Sequence, residues 1–190
     1  VPLVIKNHLK EISKLIDNVV LSLKNQGRLF YIGCGSSGRL GILDAVECPP
    51  TFSVSNNLVQ GIIAGGSKAL YKSVEGAEDS EKEGERQLIR KNINKNDIII
   101  GISANGSAKF VLGALKYAKT KNSYTGLLTF NKIKKHSYLD KIISINVGPE
   151  VIAGSTRMKA GTATKIILNM ITTTSMISIN KTYKNIMVDL

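Results

Sequence analysis

The chain has no tryptophan, only 5% aromatic residues, two histidines, two cysteines and four prolines among 190 residues. Each scarcity closes off a class of protein. Cys34 and Cys48 cannot build the disulfide framework of a small secreted domain, so a reducing, cytoplasmic setting is expected. His8 lies on an expected helix and His136 in a Lys-rich loop. Neither pairs in sequence with a cysteine, no Ser/His/Asp set is visible, and no His/Cys/carboxylate cluster has metal-ligand spacing. No apolar run is long enough to span a bilayer and no signal-peptide layout opens the chain, so no membrane partner is expected. The first residue is Val rather than Met, as in a trimmed or partial chain. Acids are also short: 14 Asp and Glu against 26 Lys and Arg leave a net charge of +12. That charge admits a nucleic-acid partner. The lysines are scattered, however, and no helix-turn-helix, zinc-finger or RNA-recognition signature occurs. The charge reads as a solvated surface that also attracts anionic substrates, and no nucleic-acid partner is expected.

What is present is concentrated between Arg28 and Thr51, RLFYIGCGSSGRLGILDAVECPPT. An apolar strand, Leu29 to Ile32, runs into a glycine turn, Gly33-Cys34-Gly35-Ser36-Ser37-Gly38, and then into a helix. Such a turn sets bare backbone N–H groups and two hydroxyls at a helix N-terminus, which is an anion site. Gly33-x-Gly35-x-x-Gly38 also satisfies the dinucleotide pattern. That reading needs an acid about 20 residues further on, where the chain has Ser55-Asn56-Asn57-Leu58-Val59-Gln60. The paired serines suit the free oxygens of a phosphate monoester better. A structural βα turn without ligand would satisfy the same pattern.

The length fits one domain with a full-sized core. Leu9, Ile12, Leu15, Ile16, Val19, Val20 and Leu23 recur at spacings of three and four, which predicts a helix over about 3–25 before Gly27. Strands are expected at 28–33, 59–64, 97–103, 124–130 and 141–147. Helices are expected at 36–46, 67–74, from the capping box Ser80-x-x-Glu83 to about 93, 107–119 and 157–179. Pro49-Pro50 is expected to end the second helix and to bias Cys48 toward an extended conformation. Strands alternating with helices, with near-continuous apolar strand cores, imply an α/β fold: a five-stranded parallel sheet covered on both faces, a three-layer αβα sandwich. Ligands in such sheets bind at the carboxyl ends of the strands.

Several residues could carry chemistry there. Ser103-Ala104-Asn105-Gly106-Ser107 follows the third strand and repeats the small, hydroxyl-bearing character of the first loop, although Asn105 or Ser107 could equally be a helix cap. Glu47, expected at a helix C-terminus where the dipole disfavours a charge, would suit a general acid; an ordinary surface glutamate is the alternative. Glu75, Glu78 and Asp79 read on spacing alone as a solvated helix entry. Gly154-Ser155-Thr156-Arg157-Met158-Lys159-Ala160-Gly161-Thr162 leads into the last helix, and its small residues, two cations and hydroxyls could complete an anion site, or the cations could simply face solvent. Cys34 lies inside the glycine turn, where alkylation would block the site, yet both cysteines read as buried thiols.

Four phrases in order, GCGSSGRLGILDAVECPPTF, VQGIIAGG, VEGAEDS and VIAGSTRMKAGTATKIILNM, resemble the N-acetylmuramic acid 6-phosphate etherases of the sugar isomerase (SIS) domain group. The related glucokinase regulatory protein shares several of them. The resemblance covers about Arg28 to Leu190. It implies a five-stranded SIS domain over residues 1–190, a homodimer with the phosphosugar site formed partly across it, and no metal or cofactor. It also implies cleavage of a lactyl ether to N-acetylglucosamine 6-phosphate and D-lactate, a carbon–oxygen lyase step in amino-sugar catabolism and peptidoglycan recycling. By this resemblance Glu47 in the ECPPT phrase is the acid, Glu78 in the EGAED phrase is the second catalytic glutamate and the base, and Ser36, Ser37 and Gly38 with Gly35 are the first phosphate loop. Two departures stand out. Asn105-Gly106-Ser107-Ala108-Lys109 replaces the family's ASGRTP-like loop, so Ser103 and Ser107 resemble the regulatory protein instead, and Val46 replaces a usual serine. A non-catalytic phosphosugar sensor of the regulatory-protein type is the second function that the sequence supports.

Overall fold

The computed structural model describes residues 1–187. Five strands, β1 (Leu29–Gly33), β2 (Val59–Ile63), β3 (Ile98–Ile102), β4 (Tyr124–Thr129) and β5 (Lys141–Ser144), form one sheet in the order β2-β1-β3-β4-β5. Every pairing is parallel, with Leu29 opposite both Val59 and Ile98. The helices are α1 (Pro2–Lys6), α2 (Leu9–Lys24), α3 (Gly35–Phe52), α4 (Lys68–Tyr71), α5 (Glu81–Arg90), α6 (Lys109–Thr120) and α7 (Lys159–Ser178).

The strand sequences explain why helices cover both faces. Successive side chains alternate across a sheet. Leu29, Tyr31, Ile98, Ile100 and Ile102 meet α2, α3 and α7 in one apolar cluster. Phe30, Ile32 and Ile99 meet Leu88 of α5 and Phe110, Val111 and Leu115 of α6 in a second cluster. Both faces of β1 and β3 are therefore apolar, and a three-layer sandwich satisfies them.

Two expectations about helices fail. The expected helix over 3–25 is divided at Asn7–His8, where Asn7 N–H bonds Val4 O (3.1 Å) and His8 N–H bonds Ile5 O (2.8 Å). These i to i−3 bonds tighten the turn and start α2 afresh, leaving Leu9 exposed and Ile12 buried. The second failure concerns Pro49 and Pro50, which lie inside α3 rather than ending it, so Cys48 is helical. The prolines deprive the carbonyls of Ala45 and Val46 of their donors. The last turn nevertheless holds because Cys48 and Phe52 are buried in the core. Ser53, in a left-handed conformation, closes it by donating from its N–H to Pro49 O at 2.9 Å.

β1 neighbours β2 on one side and β3 on the other, so the chain reverses its direction across the sheet between them. This is the topological switch point, where a crevice opens at the strand carboxyl ends. At the opposite ends of β1 and β3, the buried Asp97 carboxylate accepts from Arg28 N–H (2.9 Å), Nε (3.0 Å) and Nη2 (2.7 Å). That clamp fixes the register and thus the relative height of the loops that leave β1 and β3.

Candidate active site

The loop after β1 passes through Cys34, extended at φ −119° and ψ 149°, and enters α3 at Gly35, whose φ is +50°. No side chain caps this helix start, so the first-turn N–H groups have no intrahelical acceptor. Gly38 serves packing: a Cβ there would stand 2.6 Å from Ile63 Cγ1 and 2.7 Å from Gly33 O. Its absence lets α3 sit close against the end of β1.

The loop after β3 is tied internally. Ser103 Oγ donates to Asn105 Oδ1 at 3.1 Å, Ser107 N–H donates to the same oxygen at 3.1 Å, and Ala108 N–H reaches Ser103 Oγ at 3.4 Å. Gly106, at φ +76°, is buried against Ile133 and shapes the turn. α6 begins just beyond, also without a side-chain cap.

The two loops face each other across a cavity of about 590 Å³, within the usual range of roughly 300–1,000 Å³ for small-molecule sites. Gly35, Ser36 and Ser37 line one wall, and Ser103, Asn105 and Ser107 line the other. Gly38 and Gly106 stand behind these walls. Glu78 and Asp79 close a third side. Gly76, left-handed at φ 71°, turns the chain into a short 3-10 helix, Ala77–Asp79, whose Ala77 packs on the second core cluster. The carboxylates are felt inside the cavity. Burial first, then the charges of Glu78 and Asp79, push the Cys34 thiol up to about 12. Cys34 is thus a neutral thiol near pH 7, poorly reactive toward alkylation. Among the described residues no group of three His, Cys, Asp or Glu side chains gathers as a metal site.

Glu47 lies elsewhere. α3 continues to Phe52, so Glu47 is not at a helix end, and the argument from the dipole does not apply to it. It is exposed and lines a smaller cavity between α3 and α7, about 190 Å³, beside Asp44, Lys165 and Asn169. Eleven residues separate it from Ser36 along the helix, or about 16 Å. Glu47 and Glu78 do not line a common cavity within the chain.

The segment before α7 is also rearranged relative to expectation. Its neutral residues Gly154 and Thr156 reach the main cavity, whereas Arg157 turns into the neighbouring groove between α3 and α7. Lys159 donates from Nζ to Pro149 O at 2.7 Å. The Glu150 carboxylate takes the N–H groups of Lys159 and Ala160, both at 2.9 Å, and these bonds hold it below the usual carboxylate range. The start of α7 is therefore already occupied by an internal anion.

Asp44 is a buried carboxylate between α3 and α7. Oδ1 accepts from Asn169 Nδ2 (2.7 Å) and Thr172 Oγ1 (3.2 Å), while Oδ2 has no partner among the described residues. Burial pushes its pKa up against the pull of those bonds.

Sequence reasoning missed Asp79 and Lys165 as lining residues, whereas Gly154 and Thr156 belong to the segment singled out there for an anion site. Asp79 sits directly beside Glu78 in sequence, and that adjacency was the available signal.

Known proteins share the sequence and the fold. An N-acetylmuramic acid 6-phosphate etherase 1 from Bacillus licheniformis is 57% identical over 182 residues, covering 95% of this chain and 60% of that protein. An N-acetylmuramic acid 6-phosphate etherase from Bacillus cereus (strain AH187) is 50% identical over 192 residues, covering 100% of this chain and 65% of that protein. The chain thus spans less than two thirds of the length of these curated relatives. In fold, it is similar to a phosphoheptose isomerase from Neisseria gonorrhoeae, with a TM-score of 0.64 at 11% identity over 92% of this chain and 89% of that one. The glucokinase regulatory protein N-terminal SIS domain family matches residues 11–119. With more than half its length matched and the parallel five-stranded sheet in place, the chain belongs to the glucokinase regulatory protein N-terminal SIS domain family.

Proposed function

We propose that residues 1–190 form one phosphosugar-binding SIS domain of an N-acetylmuramic acid 6-phosphate etherase, a carbon–oxygen lyase of amino-sugar catabolism and peptidoglycan recycling. The observation that carries this reading is the cavity between the two serine loops, with Glu78 at its side. It offers hydroxyls and helix N-termini to a phosphate monoester and a carboxylate to a carbon acid. The relatives at 50% and 57% identity bear the etherase name. Two unpaired thiols suit a reducing compartment such as the cytoplasm.

The chemistry follows from the substrate. Opening of the sugar ring gives an aldehyde at C1, which acidifies the proton on C2. Glu78 takes that proton. The electron pair forms the C2–C3 double bond as the bond from C3 to the lactyl ether oxygen breaks. Glu47 delivers a proton to that oxygen, and lactate leaves with its hydroxyl. Water then adds at C3 and a proton returns to C2, giving N-acetylglucosamine 6-phosphate. General acid–base groups of this kind contribute about 10²–10⁴-fold each.

Glu47, about 16 Å along α3 from the serine loop, is beyond the reach of one hexose phosphate held there. We therefore infer a homodimer in which a second copy supplies it. One face of α3 carries Ser36, Leu40, Leu43 and Glu47, with Leu43 47% exposed. Antiparallel pairing of this face about a two-fold axis sets Leu40 against Leu43 of the partner subunit and Ser36 against Glu47 of the partner subunit. The acid then stands over the mouth of the cavity.

The test is D-lactate release from N-acetylmuramate 6-phosphate by this chain. Release is expected. Tight phosphosugar binding without lactate would instead indicate a sensor of the regulatory-protein type.

A further inference from the structure

The charged residues that line the main cavity are Glu78 and Asp79, and Asp79 is paired with Lys109 Nζ at 3.7 Å, which leaves Glu78 as its unpaired charge among the described residues. The cations lie next door. Ser36 is shared with a groove of about 470 Å³ between α3 and α7, where Arg39, Arg157 and Lys165 surround Leu40 and Ile166. Arg39 is tethered, donating from Nε to Leu70 O (3.2 Å) and from Nη2 to Lys72 O (3.3 Å). Arg157 and Lys165 are exposed and form no salt bridge among the described residues. Lys165 also borders the small cavity of Asp44 and Glu47, so it stands along the same face of α3 that runs from Ser36 to Glu47. The groove thus joins an apolar floor to two free positive charges, one serine away from the phosphate loop.

We propose that this groove is a carboxylate subsite, in which Arg157 and Lys165 hold the carboxylate of the substrate's lactyl group while Ile166 takes its methyl. The inference rests on the etherase reading above and names what that site selects. The substrate has two anionic ends. The phosphate is neutralised by neutral donors and helix dipoles in the main cavity. The second anion would be repelled by Glu78 if it lay there, and the adjoining groove is where the opposite charge waits. The lactyl group hangs from the ether oxygen that Glu47 of the partner subunit protonates. In the antiparallel arrangement that acid lies above Ser36, at the mouth of this groove. Arg157 and Lys165 are specificity-determining residues here: they separate a sugar that carries the lactyl ether from the product, which lacks it.

The experiment compares two ligands on the parent chain and on Arg157→Met, Lys165→Met and Lys165→Arg. N-acetylmuramate 6-phosphate and N-acetylglucosamine 6-phosphate are titrated calorimetrically in a Glu78→Gln background, in which the first is not turned over, and D-lactate release is followed with Glu78 intact. A hydrogen-bonded charge pair of this kind corresponds to about a 10- to 100-fold change in affinity. Arg157→Met and Lys165→Met are expected to weaken N-acetylmuramate 6-phosphate by that factor and to leave N-acetylglucosamine 6-phosphate within about twofold, with Lys165→Arg restoring most of the loss. Both residues are exposed, so melting temperatures should match the parent. Equal weakening of both ligands, or no weakening of either, overturns the subsite while the etherase reading stands on the parent's lactate release. A parent that binds neither phosphosugar overturns both.

Discussion

The two cavities that share Ser36 solve opposite electrostatic problems. The one between the β1 and β3 loops has uncharged donors and two carboxylates, drawn from four segments between Cys34 and Thr156. The α3–α7 groove has cations and an apolar floor, built from two helices more than 100 residues apart. A phosphate can be held without cations because two helix starts leave several N–H groups unbonded, and the geometry of those groups is fixed by the backbone. A carboxylate on a rotatable arm has no such pre-set cradle and needs flexible side-chain charge. On the proposed reading, one half of the site would bind a phosphate by backbone shape and the other a carboxylate by side-chain charge.

The comparison can be tested first through the carboxylates. Glu78→Gln should lower kcat for lactate release by about 10²–10⁴-fold, yet leave N-acetylglucosamine 6-phosphate affinity within severalfold. A loss confined to affinity would remove Glu78 from the chemistry. The backbone half is tested next at its tightest contact. Gly38→Ala drives a methyl into Ile63 and Gly33 O, at a cost of about 1–3 kcal/mol. Denaturant unfolding should show it, and phosphosugar binding should fall with the displaced loop. Unchanged stability would mean that α3 can retreat freely from β1.

The smallest effect lies beneath the groove. Because burial raises the pKa of Asp44, its protonated form is favoured by folding. Its contribution is complete at pH values below its unfolded pKa and is lost as pH rises through the folded value. Asp44→Asn does not titrate and retains an oxygen for Asn169 and Thr172. Its stability relative to the parent should therefore increase as the pH rises from 4 to 8. Thermal melts at the two pH values measure it, and a difference that shrinks with pH would contradict the burial argument.

Much of the fold was legible because the strands carry it. LFYIG and IIIGI are apolar on both faces, which requires helices on both sides. The serine loops were legible because glycine and hydroxyl residues at a strand–helix junction have few other uses. The end of α3 was not. Local chemistry at Pro49-Pro50 argues for a stop, and only the burial of Cys48 and Phe52, a tertiary fact, overrides it. Lys159 misled for a related reason: Glu150, nine residues earlier, folds back onto the start of α7, and such a contact leaves no local pattern. Lys165 was hidden among ordinary helix residues, since its place in the groove depends on which face of α7 meets α3. Glu47 and Glu78 were paired in the sequence reading by family resemblance, and in the structure they stand apart.

That separation sets the most direct measurement. Glu47→Gln and Glu78→Gln chains are purified separately, mixed in equal amounts, allowed to exchange subunits, and assayed for D-lactate release. Each alone should be nearly inactive. If a second copy supplies Glu47, half of the exchanged dimers are mixed and each has one intact site, so activity should return to about a quarter of the parent's. Activity that stays at the level of the separate variants after proven exchange would contradict the shared site.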